Sequence, residues 1–181
     1  SDLFGAAGEI RRAIEMVYHG SDIEERQIRD LVAVENDAEE DSAENITVED
    51  RPENEAGSEE AANQAPVIRF VDLMLRQAVK NRASDVHIEP QAESTAVRLR
   101  IDGVLREGVP PPKRMHPAVV ARIKILAQMN IAERRLPQDG RLRIRTSGRD
   151  IDVRVSTIPT IYGEKVVMRI LDASAVSHDL N

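Results

Sequence analysis

Arginine is the residue type in this 181-residue chain whose number and placement suit it to chemistry. Arg98, Arg100, Arg141, Arg143, Arg145, Arg154 and Arg169 each sit beside aliphatic residues, as in Val97-Arg98-Leu99-Arg100-Ile101 and Asp152-Val153-Arg154-Val155-Ser156. On a strand, such alternation puts the arginines on one face and the aliphatic side chains on the other. From residue 61 onward the chain holds 16 Arg and 4 Lys, a bias toward the planar fork that grips phosphate or carboxylate through two parallel bonds. These residues therefore suit phosphate recognition, on a nucleotide or on a nucleic acid. The plainer reading is the solvated face of a half-buried antiparallel sheet, balanced by Asp102, Asp150, Asp152 and Glu164.

Other chemistries are excluded by what the sequence lacks. It contains no G-x-x-x-x-G-K-[ST] loop to cradle phosphates, no G-x-G-x-x-G and no G-x-S-x-G. The four histidines, His19, His87, His116 and His178, show no metal-ligand spacing, and there is no cysteine for a disulfide, a thiolate nucleophile or a zinc site. We therefore expect no catalytic residue and no metal site in these residues. With two Phe, two Tyr and no Trp, aromatic stacking cannot be the main binding device. No apolar run reaches the roughly 18 residues of a membrane span, so a soluble, cytoplasmic protein is the expectation.

The arginines need a scaffold, and periodicity supplies one. Val67, Phe70, Val71, Met74, Leu75 and Ala78 recur at helical spacing, and Val119, Val120, Ile123, Leu126 and Ala127 do so within a helix expected over 116–130. Val86-His87-Ile88 reads as a short strand. Asp102-Gly103 and Ser147-Gly148 read as two-residue hairpin turns, and Lys165 to Leu171 as a last strand. Residues 136–141 and 159–164 read as turns. The sum is an α+β fold, a sheet of about six antiparallel strands with helices on one side.

Charge is divided along the chain. Residues 1–34 hold 4 basic and 7 acidic residues, residues 35–60 hold 1 and 12, and residues 61–181 hold 20 and 13. Residues 35–65 combine like charge with small polar residues, a composition that cannot offset its ordering entropy, and read as a flexible acidic linker. A second use for it is an acidic tail occupying a basic site. Before it, Ile10, Ala13, Ile14 and Val17, then Ile23, Ile28, Leu31 and Val32, suggest one or two short amphipathic helices.

Five segments in order carry a resemblance: Ala83-Ser84-Asp85-Val86-His87-Ile88-Glu89-Pro90, Arg98-Leu99-Arg100-Ile101-Asp102-Gly103, Pro137-Gln138-Asp139-Gly140-Arg141, Asp152-Val153-Arg154-Val155-Ser156-Thr157 and Gly163 to Asp172. Together they resemble the traffic ATPases of type II secretion and type IV pili. The resemblance spans residues 66–173 and corresponds to the domain preceding the RecA-like ATPase domain. It implies a PAS-like α+β fold whose arginines reach the nucleotide held by that second domain. It implies that Arg154 and Arg169 sense the γ-phosphate, that Arg141 and Glu164 lie in matching loops, and that Arg98 and Arg100 serve a subunit interface. Residues 1–34 then resemble the helical tail of an N-terminal partner-binding domain. Residues 174–181 would begin the linker to a RecA-like domain absent from this chain, which on this view is a fragment.

The resemblance further implies ATP and magnesium as cofactors of the parent protein, bound mainly outside these residues. It implies a hexamer and an inner-membrane secretion platform protein as partner, and a cytoplasmic location peripheral to the inner membrane. Type II secretion is preferred over pilus extension on the wording of Asp152 to Thr157 and Val166 to Asp172. The alternatives of another class are an arginine-rich nucleic-acid-binding module and an adaptor without a motor. The acidic linker and the lack of aromatic platforms favour no nucleic-acid partner.

Overall fold

Two glycine turns shape the sheet. Asp102 and Gly103, with φ of 51° and 78°, join β2 (Thr95–Ile101) to β3 (Val104–Glu107), and Ser147 and Gly148, with φ of 53° and 74°, join β4 (Gln138–Thr146) to β5 (Arg149–Thr160). Positive φ at both central residues matches the turn to the twist of the strands it connects. β1 (Asp85–Pro90) precedes the first hairpin and β6 (Gly163–Leu171) follows the second. Each half is thus a three-stranded meander, and the pairing of β1 with β6 joins them into one antiparallel sheet of order β3-β2-β1-β6-β5-β4. The computed structural model describes residues 23–43 and 57–171. The helix expected around Ile10 to Val17, residues 44–56 of the expected linker, and residues 174–181 lie outside the described residues.

One face of the sheet is apolar. Val86, Ile88, Val97, Leu99, Val153, Val155, Val166 and Met168 point to it and are buried against Phe70, Val71, Met74 and Ala78 of α3 (Ala65–Lys80) and Val119 and Ile123 of α4 (His116–Leu126). Proline in the first turn of each helix supplies a preset φ where no intrahelical donor is needed. α3 ends where Arg82 turns to a φ of 55°, and α4 ends before Gln128 does so at 57°. That left-handed residue terminates α4 at Leu126, short of the expected Asn130. Leu126 is consequently more than a third exposed, whereas Lys124, absent from the apolar stripe read in the sequence, is buried.

Both ends of the linker expected from composition differ from that reading. Residues 35–43, read as linker, continue α1 (Ile23–Ala43), and residues 59–62 form the short helix α2 (Glu59–Ala62) with Ala62 buried. Ser58 caps α2 by accepting a hydrogen bond from the Ala61 N–H at 3.2 Å. α1 lies on α3, with Ile28 in the common core and Leu31 and Val32 against it, so its apolar residues outweigh the local run of acid. The ion pairs Lys80–Glu24 at 3.2 Å and Arg114–Glu35 at 3.3 Å tie its polar side down. In the second half, β4 starts at Gln138 and β5 runs to Thr160, so most of each expected turn is strand. Pro159 is accommodated opposite Glu164 next to the hairpin turn, where ladder pairing ends.

Candidate phosphate-binding face

The helix-free face carries the arginines. In the register of the ladders, Arg141 of β4 stands opposite Arg154 of β5, and Arg154 opposite Arg169 of β6. Continuing across the sheet, Arg169 is opposite Asp85 of β1, and Asp85 opposite Arg100 of β2. Directly opposed residues on antiparallel strands have Cα atoms about 4.5–5.5 Å apart. Three guanidinium groups therefore share one row with no acidic residue between them. Like charges set opposite one another cost up to about 1 kcal/mol each, so the row favours an anion that neutralises it.

The pairing of each member differs. Arg169 Nε lies 3.3 Å from Asp85 Oδ1, while among the described residues no carboxylate pairs with Arg141 or Arg154. Rows to either side are balanced: Arg143 Nε lies 3.0 Å from Asp152 Oδ1, and Asp139 accepts a 2.6 Å bond from the Ser156 hydroxyl. Arg143 is held above the ordinary arginine pKa by its hydrogen bond to Asp152 and by the charges of Asp152 and Asp150. Three arginines thus adjoin one another in this row, at an open trough of about 390 Å³ formed by Arg141, Arg154, Arg169 and their neighbours. Its floor is ladder backbone, fixed by the β4–β5 and β5–β6 pairings. Gly140 is required there because a Cβ would approach the Ala127 carbonyl oxygen to 2.7 Å.

Not every residue singled out in the sequence joins the row. Arg98, on the same face, is opposite His87 and Glu107, and Arg100 Nε lies 3.4 Å from Asp85 Oδ2 while its Nη1 donates to the Gly103 carbonyl at 3.1 Å. Glu164 is on the opposite, helix-covered face. There its Oε1 is 2.8 Å from Lys124 Nζ, which also donates to the Glu133 carbonyl at 2.7 Å. His116 Nε2 donates to the Glu164 backbone carbonyl at 2.8 Å, and burial pushes the imidazole pKa down, so the ring is neutral at pH 7. These groups border a cavity of about 210 Å³ between α4 and the β5–β6 hairpin. Glu164 therefore anchors that hairpin to α4 and does not reach the arginine row.

Three polar residues carry more of this architecture than the sequence alone disclosed. Lys124 was hidden by its aliphatic neighbours Ile123 and Ile125, although its spacing of four from Val120 places it on the core stripe. Gln138 closes the 127–137 loop, accepting from the Asn130 N–H at 3.0 Å and donating to the carbonyls of Asn130 and Glu133. Asp85 sits within the first quoted motif, but only the ladder register shows that it faces two arginines at once.

Residues 60–181 match the family described as type II/IV secretion system protein. The type II secretion system protein E of Xanthomonas campestris pv. campestris is 57% identical over 118 residues, 65% of this chain and 21% of that protein. The type II secretion system ATPase E of Vibrio cholerae is 40% identical over 173 residues, 96% of this chain and 33% of that one. The type IV pilus assembly ATPase PilB of Myxococcus xanthus is 50% identical over 121 residues, 66% and 21% respectively. The chain spans between about a fifth and a third of the length of these relatives.

Proposed function

The chain belongs to the type II/IV secretion system protein family, and on that premise we propose that residues 66–173 form the nucleotide-contacting domain of a secretion ATPase. The observation that carries this reading is the row Arg141–Arg154–Arg169, cationic and turned to the helix-free side. In the proposed mechanism Arg154 and Arg169 grip the γ-phosphate of ATP presented by a RecA-like motor domain of the same or a neighbouring subunit, and so draw the two domains together. They stabilise charge on the transferring phosphoryl group as an arginine finger does. Loss of the γ-phosphate releases the forks, and the domains reopen as rigid bodies. Arg141 extends the row and Glu164 supports its hairpin from behind.

The residues fit the phosphate end of the nucleotide. Three forks in one row supply paired donors to phosphate oxygens. The base, the ribose and the magnesium ion are assigned to the motor domain, whose P-loop supplies the remaining phosphate contacts. The domain thus contributes leverage, and these residues by themselves should not hydrolyse ATP. Six such subunits, docked on an inner-membrane platform protein from the cytoplasmic side, would drive pseudopilus assembly in type II secretion. No helix among the described residues is long and apolar enough to cross a membrane. The similarity to a pilus assembly ATPase supports pilus extension as a second reading.

The test is steady-state phosphate release by the complete ATPase. Arg154→Ala and Arg169→Ala should lower turnover on the order of 10³-fold, the scale of a true arginine finger. Both should melt within about 0.5 kcal/mol of wild type, as surface substitutions do. Arg→Lys should restore only part, since a point charge does not reproduce the fork. Arg143→Ala and Arg145→Ala, outside the row, are the controls, and equal turnover in all four variants would refute the reading.

A further inference from the structure

Asp85 occupies the seam between the two meanders. The ladders put it directly opposite Arg169 on one side and Arg100 on the other, and its two carboxylate oxygens are divided between them. Oδ1 faces Arg169 Nε at 3.3 Å and Oδ2 faces Arg100 Nε at 3.4 Å. The backbone is pinned at the same point, since the Ser84 N–H donates to the Arg100 carbonyl at 2.8 Å and the Ile170 N–H to the Ser84 carbonyl at 2.9 Å. The carboxylate side chain is 15% exposed, whereas the Arg169 side chain it holds is 68% exposed. A half-buried acceptor on a hydrogen-bonded stretch of backbone therefore holds an exposed cation by its inner nitrogen.

The nitrogen it grips is the informative detail. A guanidinium offers five N–H donors in a fixed plane, one on Nε and four on the two terminal nitrogens. With Nε committed to Asp85, the terminal edge of Arg169 is left for a second partner, and an anion lodged there need not displace the carboxylate. Arg154, opposite Arg169, has no such partner among the described residues. We propose that Asp85 is the positioning residue of the phosphate face: by holding Arg169 through Nε it presents the terminal nitrogens to a bound phosphate. The proposal rests on the phosphate-site reading above and adds a role for a residue outside the arginine row.

The idea makes a prediction of unusual sign. Removing a negative charge beside cations should, by electrostatics alone, tighten binding of an anion. Loss of positioning should weaken it instead. The probe is inorganic tripolyphosphate titrated into the 181-residue chain, with affinity read from amide shifts and Arg169 followed by its Nε–Hε resonance. Asp85→Ala should weaken binding on the order of tenfold, the value of one charge-assisted hydrogen bond, and the Arg169 Nε–Hε signal should lose its protection from exchange. Asp152→Ala removes the same charge from the neighbouring row, where the carboxylate pairs with Arg143, and should leave affinity unchanged or slightly higher. Asp85→Asn, which keeps a neutral acceptor, should fall between wild type and Asp85→Ala.

Equal or tighter binding by Asp85→Ala overturns the proposal. Should that variant fail to fold, Asp85→Asn against Asp152→Asn decides: weaker binding by the former supports positioning, equal binding refutes it. If Arg154→Ala and Arg169→Ala lose affinity while both Asp85 variants keep it, the Asp85 role alone is wrong. Tripolyphosphate affinity that is absent in wild type, or unchanged in the two arginine variants, removes the phosphate site and the Asp85 role together.

Discussion

Lys124 shows what a single charged residue does in a core made of Val, Ile, Leu and Met. It is 1% exposed, and its ammonium is compensated by the Glu164 carboxylate and the Glu133 carbonyl. Replacing it by Met leaves Glu164 buried without its partner, which should cost about 3–5 kcal/mol, whereas Lys124→Met with Glu164→Leu should regain much of that loss. Denaturant unfolding of the two variants checks both values. His116 adds a pH dependence. Its pKa is lowered in the folded state, chiefly by burial, and the smaller contribution of the Glu164 hydrogen bond does not reverse the direction; His87 is lowered as well, by burial and by Lys165. The unfolded chain therefore binds more protons near and below the ordinary histidine pKa of about 6.5, so stability is complete above that pH and falls as the pH drops below it. Melting temperatures at pH 7.5 and 5.5 should show the decrease, and His116→Gln should flatten it; a steeper slope in the variant would contradict the burial argument. At this scale the sequence was legible where alternation governs, as at Arg154 and Arg169. It was illegible where a polar residue finds its partner only through tertiary contact, as Lys124 does with Glu164 and Asp85 with two arginines.

Elements were legible in proportion to how local their determinants are. Asp102-Gly103 and Ser147-Gly148 fix their hairpins through backbone conformation alone, and both lie where the sequence puts them. The helix at Ala65–Lys80 carries a full apolar stripe and a proline start, and it too is where periodicity places it. α1 is the contrary case: its apolar residues are irregularly spaced and its second half is acidic, so composition argues for a linker. Burial of Ile28 against α3, with Glu24 and Glu35 paired to Lys80 and Arg114, supplies stabilisation that no local pattern contains. Ile28→Ala should accordingly cost about 2–5 kcal/mol, as large-to-small core substitutions do. Hydrogen exchange should show α1 amides losing protection together with those of α3. Unchanged stability in Ile28→Ala would mean that α1 contributes nothing to the fold.

For the whole molecule the question is which partner the cationic face takes. Its positive charge invites a nucleic acid, yet the rows beside the arginines hold Asp139, Asp150 and Asp152, and Phe70 lies in the core, away from that face. Among the described residues no aromatic side chain stands in the arginine row, Tyr162 lying at the β5–β6 turn beneath Lys113, so binding rests on phosphate contacts and should be weak and steeply salt-dependent. Filter binding of single-stranded oligonucleotides at two salt concentrations checks this, and submicromolar affinity at physiological salt would favour the nucleic-acid module. The central claim is that Arg154 and Arg169 convert bound nucleotide into domain closure, and a distance measures it most directly. One fluorophore on the β2–β3 hairpin and another on the motor domain of the complete ATPase report their separation by energy transfer. A non-hydrolysable ATP analogue should shorten that separation in wild type, ADP should not, and Arg154→Ala with Arg169→Ala should leave it unchanged in either nucleotide. Closure of the double variant to the wild-type distance, or no change in wild type, would contradict the account.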